Sequence, residues 1–441
     1  MIILKFGGTS VGGADPIRRV GKIVTSVVDR RPVVVVSAVG GVTDRLLGLG
    51  DVALGGGDWQ KIYDEVRDKH HGILKELKLD GGLVDRLLEE LRGLVRGISL
   101  IRELTPRTRD YLLSFGERMS AQIVSTHLAN VGVASVACDA FDVGLVTDSR
   151  FGGARPLPES DQRIREALAA VQEVAVITGF IAKDPNGVIT TLGRGGSDFS
   201  ASIFGAALGA EEIQIWTDVD GVMSTDPRIV PAAKHLRRLS FAETSELAFY
   251  GAKVLHPATM VPAVQKDIPI RVLNTYRPEF PGTTIVSKLE PHERGVKSIS
   301  SKSDISVVNV VAAPMAVQYG FLERIADVFK RHEVVLDMIA TSEVSVALTT
   351  SSRGAQLEPV VADLREFSEV SVQQGMAQVS VIGEEIHGRV GFAAEVFKVL
   401  KELEINVEMI SFGATQINLS FVVSGDQLET AVTGLHDHLF P

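Results

Sequence analysis

The sequence predicts an α/β lobe built on a mostly parallel sheet sandwiched by helices, followed by a duplicated β-α-β-β region. Three observations carry this reading. Short β-branched runs of nearly continuous apolar character recur up to Leu273, as strands covered on both faces require. Amphipathic helical patterns separate those runs. Further on, Gly320 and Gly391 open two similar segments 71 residues apart.

In chain order, the strand-like runs are Ile2 to Phe6, Val33 to Ser37, Val133 to Cys138, Val174 to Thr178, Ile213 to Thr217 and Ile268 to Leu273. Residues 58–130 read as consecutive helices. The clearest stripe holds Leu83, Val84, Leu87, Leu88, Leu91, Leu94, Val95 and Ile98 at helical spacing. The stretch from Asn274 to Gly295 is rich in proline, glycine and charge and reads as a linker. In the repeat, Gly320-Phe321-Leu322 matches Gly391-Phe392-Ala393, and Asp337-Met338-Ile339 matches Glu408-Met409-Ile410. Each copy places a strand, a helix and two further strands in that order. The expected domains are therefore 1–285, a linker at 286–297, and two units at 298–373 and 374–441, with end strands interleaved.

Composition narrows the function classes. With 55 acidic and 45 basic residues in 441, the formal charge is -10, which argues against a nucleic-acid backbone as partner. A single cysteine, Cys138, excludes a disulfide framework and fits a reducing compartment. No apolar run approaches the ~20 residues of a membrane span, and no leader pattern is visible. A cytoplasmic enzyme or sensor is expected.

Three glycine clusters carry the chemistry. Lys5-Phe6-Gly7-Gly8-Thr9-Ser10 follows the first strand, and its amides suit either a plain strand-to-helix turn or a phosphate cradle. Leu192-Gly193-Arg194-Gly195-Gly196-Ser197-Asp198 joins a flexible turn to an arginine able to grip a carboxylate. Thr217-Asp218-Val219-Asp220-Gly221 follows the Ile213 strand. Neither a Walker A loop nor a dinucleotide fingerprint occurs, so a fused dehydrogenase is not expected. His70 and His71 read as solvated histidines, and Cys138 as a buried structural thiol.

Together with Phe115-Gly116-Glu117-Arg118-Met119-Ser120 and Gly251 to Pro257, these clusters resemble the aspartate kinases of the amino-acid kinase family, along essentially the whole chain. The duplicated tail resembles paired ACT domains, ferredoxin-like βαββαβ units, and is similar to the lysine-sensitive branch. The resemblance implies transfer of the ATP γ-phosphoryl group, with Mg²⁺, to the side-chain carboxylate of L-aspartate. Its implied catalytic residues are Lys5, which stabilises the transferring phosphoryl, and Asp198, which orients that lysine. Ser37, Thr43, Glu117, Phe180, Arg194, Gly195, Gly196 and Ser197 would hold aspartate, with Arg194 on the α-carboxylate and Glu117 on the α-ammonium. Lys5, Gly7, Gly8, Ser10, Thr217, Asp218, Met223, Arg228 and Lys253 would line the nucleotide pocket. Met315, Phe321, Asp337, Ser342 and Glu343 would bind an amino-acid effector, lysine. A homodimer or homotetramer through the ACT domains is implied, with no resident metal. A kinase for glutamate or a silent amino-acid sensor are the alternatives.

Overall fold

The computed structural model describes residues 1–249, 255–311, 319–412 and 417–440. It falls into two compact units. One comprises Met1–Val222, Arg237–Phe241 and Val254–Lys288; the other comprises Met223–Leu236, Ala242–Lys253 and Leu289–Pro441.

In the first unit the apolar runs become strands. They are β1 (Ile2–Phe6), β2 (Pro32–Val36), β3 (Ser135–Cys138), β4 (Val174–Thr178), the hairpin β5 (Ile181–Lys183) and β6 (Ile189–Thr191), and β7 (Ile213–Thr217). After the two-stranded pair β8 (Val222–Met223) and β9 (His235–Leu236), at the ends of a segment that groups with the second unit, come β10 (Arg238–Ser240), β11 (Ile270–Asn274) and β12 (Thr283–Val286) of the first. The eight-stranded sheet runs β10-β12-β11-β7-β1-β2-β4-β3 and is parallel except between β11 and β12. Side chains alternate faces along a strand. Ile2, Leu4 and Phe6 therefore enter one core while Ile3 enters the other, and Val34 and Val36 separate likewise from Val33 and Val35. Both faces are apolar because helices cover both.

Those helices are α1 (Ala14–Ser26), α2 (Val42–Gly55), α3 (Gln60–Leu77), α4 (Asp85–Ile101), α5 (Pro106–Asn130), α6 (Ser160–Ala169), α7 (Gly196–Leu208) and, after α8 (Phe241–Phe249), which groups with the second unit, α9 (Pro257–Gln265). Helices α3 to α5 form the expected insertion. Proline at the first turn of α5 and the Thr105 hydroxyl, which accepts from the Thr108 amide at 3.1 Å, start that helix. His70 corrects the sequence reading: it is fully buried on α3, its Nδ1 2.7 Å from the Val66 carbonyl, and burial lowers its pKa to about 4. His71 is the more solvated of the two and meets Asp85 at 2.9 Å. Cys138 is only half-buried, at the end of an edge strand. The stretch expected as linker contributes β12 to the sheet.

The second unit holds β13 (Gly295–Val311), α10 (Phe321–Arg331), β14 (Ile339–Thr341), β15 (Ser345–Thr350), α11 (Glu358–Arg365), β16 (Glu369–Glu384), α12 (Phe392–Glu402), β17 (Met409–Phe412), β18 (Asn418–Ser424) and α13 (Leu428–Leu439). These strands make one six-stranded sheet, β14-β15-β13-β16-β18-β17. The long strands β13 and β16 pair from Gly295↔Glu384 to Val311↔Glu369, with register shifts near Lys302 and Ile305. One half of β13 therefore serves each repeat: Ile299 packs in the core of the second copy, Val308 and Val310 in that of the first. Strand β13 begins inside the expected linker.

Segment Met223–Leu236, expected within the first domain, groups with this second unit. Ser224 receives the Ile299 amide at 2.7 Å on its carbonyl, its hydroxyl meets His436 Nε2 at 2.9 Å, and Val230 joins the α12–α13 core.

Candidate active site

Strand β1 lies inside the parallel sheet between β2 and β7, with Lys5 in register with Val35 and Ile215. Chain direction diverges here, β2 following on one side and β7 lying on the other, so the loops leave a crevice beyond the carboxyl ends. A cavity of about 610 Å³ occupies that place. Lys5, on the same strand face as Ile3, is 8% exposed and reaches Asp198 in the first turn of α7, Nζ to Oδ1 2.6 Å.

Two glycine contacts make the crevice narrow. A Cβ on Gly40 would stand 3.0 Å from the Gly8 carbonyl oxygen, so the loops after β1 and β2 approach this closely only without side chains. Gly193 and Gly195 take positive φ, +79° and +69°, which turns the chain from β6 into α7. The first turns of α2 and α7, carrying Thr43 and Ser197, thereby face one cavity. Their unpaired amides and dipoles favour an anion there. Phe180, a bulky residue at φ 65°, is strained by about 1–2 kcal/mol and packs over Gly196.

Lys5, Gly8, Ser37, Thr43, Glu117, Phe180, Arg194, Gly195, Gly196, Ser197 and Asp198 all line this cavity. Arg194 is exposed at the rim and, among the described residues, has no ion-pair partner. Glu117, on α5, is buried. Its Oε1 accepts the Ala38 amide at 3.0 Å while Oε2 has no partner, and burial pushes its pKa up to about 8 despite nearby Lys5. A cation delivered to Oε2 would satisfy that group.

The other expected residues are placed differently. Ser10 is fully buried, its hydroxyl spent on the Trp216 carbonyl (3.1 Å) and Thr275 (2.7 Å), so it braces the loop. The Gly7 amide is likewise taken by Trp216. Thr217 ends β7, and its hydroxyl donates to Asp218 Oδ1 at 3.1 Å. Met223 and Arg228 belong to the second unit, where Arg228 is paired with Asp226. Lys253 and Met315 lie outside the described residues. In the second unit Phe321 is core, edge-on to Phe367. Asp337 is already paired with Lys302 Nζ at 2.6 Å, while Ser342 bonds Ser345 and Glu343 is exposed.

Two residues of this site are absent from the sequence reading. Asp110 on α5 is buried and accepts from the Gly152 amide (3.0 Å), the Thr191 amide (2.8 Å) and the Thr191 hydroxyl (2.9 Å), tying α5 to the glycine turn. Burial raises its pKa even so. Lys69 on α3 donates to the Gly40 carbonyl at 2.5 Å, with its pKa lowered by burial. Neither has a local motif. Asp110→Ala, which leaves three donors unpaired, should destabilise the protein by about 3 kcal/mol in urea unfolding; a change under ~1 kcal/mol would show that the turn holds itself.

Residues 1–274 match the amino acid kinase family model and 379–439 match an ACT domain. The chain is 37% identical to lysine-sensitive aspartokinase 3 of Escherichia coli, over 100% of this chain and 99% of that protein. It superposes on E. coli aspartokinase III in complex with aspartate and ADP, TM-score 0.82, 35% identity, both chains covered completely. The complex of that enzyme with lysine and aspartate gives 0.85 at the same identity and coverage.

Proposed function

This chain belongs to the amino acid kinase family as an aspartokinase with a C-terminal ACT region, and on that premise we propose that the Lys5–Arg194 cavity is where it transfers the γ-phosphoryl group of ATP to L-aspartate. An oxygen of the side-chain carboxylate bonds to the γ-phosphorus, the bridge to the β-phosphate breaks, and its electrons leave on ADP. The product is 4-phospho-L-aspartate, a precursor for lysine, threonine and methionine synthesis.

One observation supports this reading most: a buried lysine, an unpaired arginine and two helix N-termini share one cavity. A carboxylate is ionised at neutral pH, so no base is needed to activate it. The barrier comes from bringing an anion up to a polyanion, and positive charge with fixed amides lowers it. Lys5 sits on the transferring phosphoryl, held there by Asp198. Arg194 grips the α-carboxylate, Glu117 takes the α-ammonium, and Ser37, Thr43 and Ser197 fix the remaining edges. Thr217 and Asp218 receive the nucleotide. Mg²⁺ enters with the nucleotide as part of that substrate.

The ACT region regulates this step, with lysine as effector and subunits pairing into a dimer or tetramer through it. Among the described residues no helix is long and apolar enough to cross a membrane.

The test is ADP release with aspartate, glutamate and N-acetylglutamate, the acyl phosphate being trapped with hydroxylamine. Aspartate alone should give hydroxamate, and millimolar lysine should suppress it. Because Lys302 already occupies Asp337, Lys302→Ala should move half-inhibition to several-fold lower lysine. Turnover of glutamate without aspartate overturns the substrate, and nucleotide binding without turnover favours the sensor.

A further inference from the structure

A second cavity of the first unit, about 620 Å³, lies against the reverse side of the helix that lines the aspartate pocket. Helix α5 turns Asp110, Leu113 and Glu117 toward the substrate cavity and Thr108, Tyr111 and Arg118 toward this one. The hairpin β5–β6 is shared in the same way, Thr191 on one side and Lys183 with Ile189 on the other. Helix α4 supplies Arg86 and Glu90 to close the wall.

The charges do not balance internally. Arg118 meets Asp139 at 3.3 Å and Glu90 at 3.8 Å, yet its Nη1 is buried with no hydrogen-bond partner. Glu90 also accepts from the Tyr111 hydroxyl. Lys183 Nζ stands 3.7 Å over the Phe141 ring and, among the described residues, meets no carboxylate. Arg86 and Arg107 have no ion-pair partner there either, and the acid left over is Asp142. Four cations, Arg86, Arg107, Arg118 and Lys183, face this space against three carboxylates, Glu90, Asp139 and Asp142, which leaves a surplus of positive charge for an anion.

We infer that this cavity is a binding site for a small organic dianion, held by Arg86, Arg107, Arg118 and Lys183, separate from the aspartate and nucleotide sites. A dicarboxylate and a phosphate monoester share that chemistry. The site does not rest on the identity of the phosphoryl acceptor.

The experiment is calorimetric titration of the full chain, saturated with aspartate and ADP, using succinate and glycerol 3-phosphate as probes. At least one should bind with Kd on the order of 1 mM or below, and the Arg86→Ala/Arg107→Ala double variant should weaken it by about tenfold or more. That variant should keep kcat and the aspartate KM within about twofold, because neither residue touches the substrate cavity. Succinate alone binding assigns a dicarboxylate, and glycerol phosphate alone assigns a phosphate ester. Silence from both probes up to about 20 mM overturns the site. So does binding seen only without aspartate and ADP, or binding unchanged in the double variant.

Discussion

Lys5→Ala should lower kcat by about three orders of magnitude while the KM values for ATP and aspartate move by less than about threefold. The size follows from position. Lys5 is anchored in a central parallel strand and buried to 8% exposure, so its ammonium acts in a region of reduced dielectric where charge stabilisation is worth most. It needs no reorganisation during the reaction because Asp198 fixes it at 2.6 Å. The substitution leaves Asp198 without its counter-ion, and a loss of folding must be separated from a loss of chemistry. Retained ADP affinity by titration and an unchanged circular-dichroism spectrum make that separation. Asp198→Asn provides the converse: the lysine remains but is released, and kcat should fall less, by about one to two orders of magnitude. A Lys5→Ala enzyme within tenfold of the parent kcat would remove Lys5 from the transition state.

Much of this arrangement is legible in the chain because two kinds of signal are local. Buried parallel strands are short and apolar throughout, so Ile2–Phe6, Val174–Thr178 and Ile213–Thr217 stand out, and each ends in a loop whose glycines are visible beside it. Very short strands give no such signal. Arg238–Ser240 and Thr283–Val286 are three and four residues long, and the second sits where proline and glycine suggest a linker. Asp110 and Lys69 are missed for another reason: each matters through a partner far along the chain, Thr191 in one case and Gly40 in the other. The same holds for Met223–Leu236, whose place in the second unit depends on His436 and Ile299. His70 misled because charged neighbours on a helix say nothing about the opposite face, which here is packed.

With Glu117 in its proposed role, aspartate binding should depend on pH in the physiological range. In the empty cavity burial raises its carboxyl from the ordinary 4.5 to about 8, so at neutral pH it carries a proton. Holding the α-ammonium of aspartate requires the carboxylate, and that proton must leave as the substrate binds. Affinity for aspartate should therefore rise with pH up to about 8 and then level. Relative to the plateau, KM should be about tenfold higher at pH 7 and about a hundredfold higher near pH 6. Stability of the empty protein runs the other way: a group whose folded pKa is raised stabilises at low pH, and that contribution is lost as pH climbs from 4.5 through 8. The gain in Tm on adding aspartate should grow over the same interval. Glu117→Gln keeps the acceptor for the Ala38 amide but removes the charge. Its KM should exceed the parent's by about a hundredfold at pH 8.5 and by only a few-fold at pH 6, where the parent is itself neutral. That convergence distinguishes a charge effect from local damage, which would raise KM at every pH alike. An aspartate KM that is flat between pH 6 and 8 in the parent enzyme would show that Glu117 does not meet the ammonium.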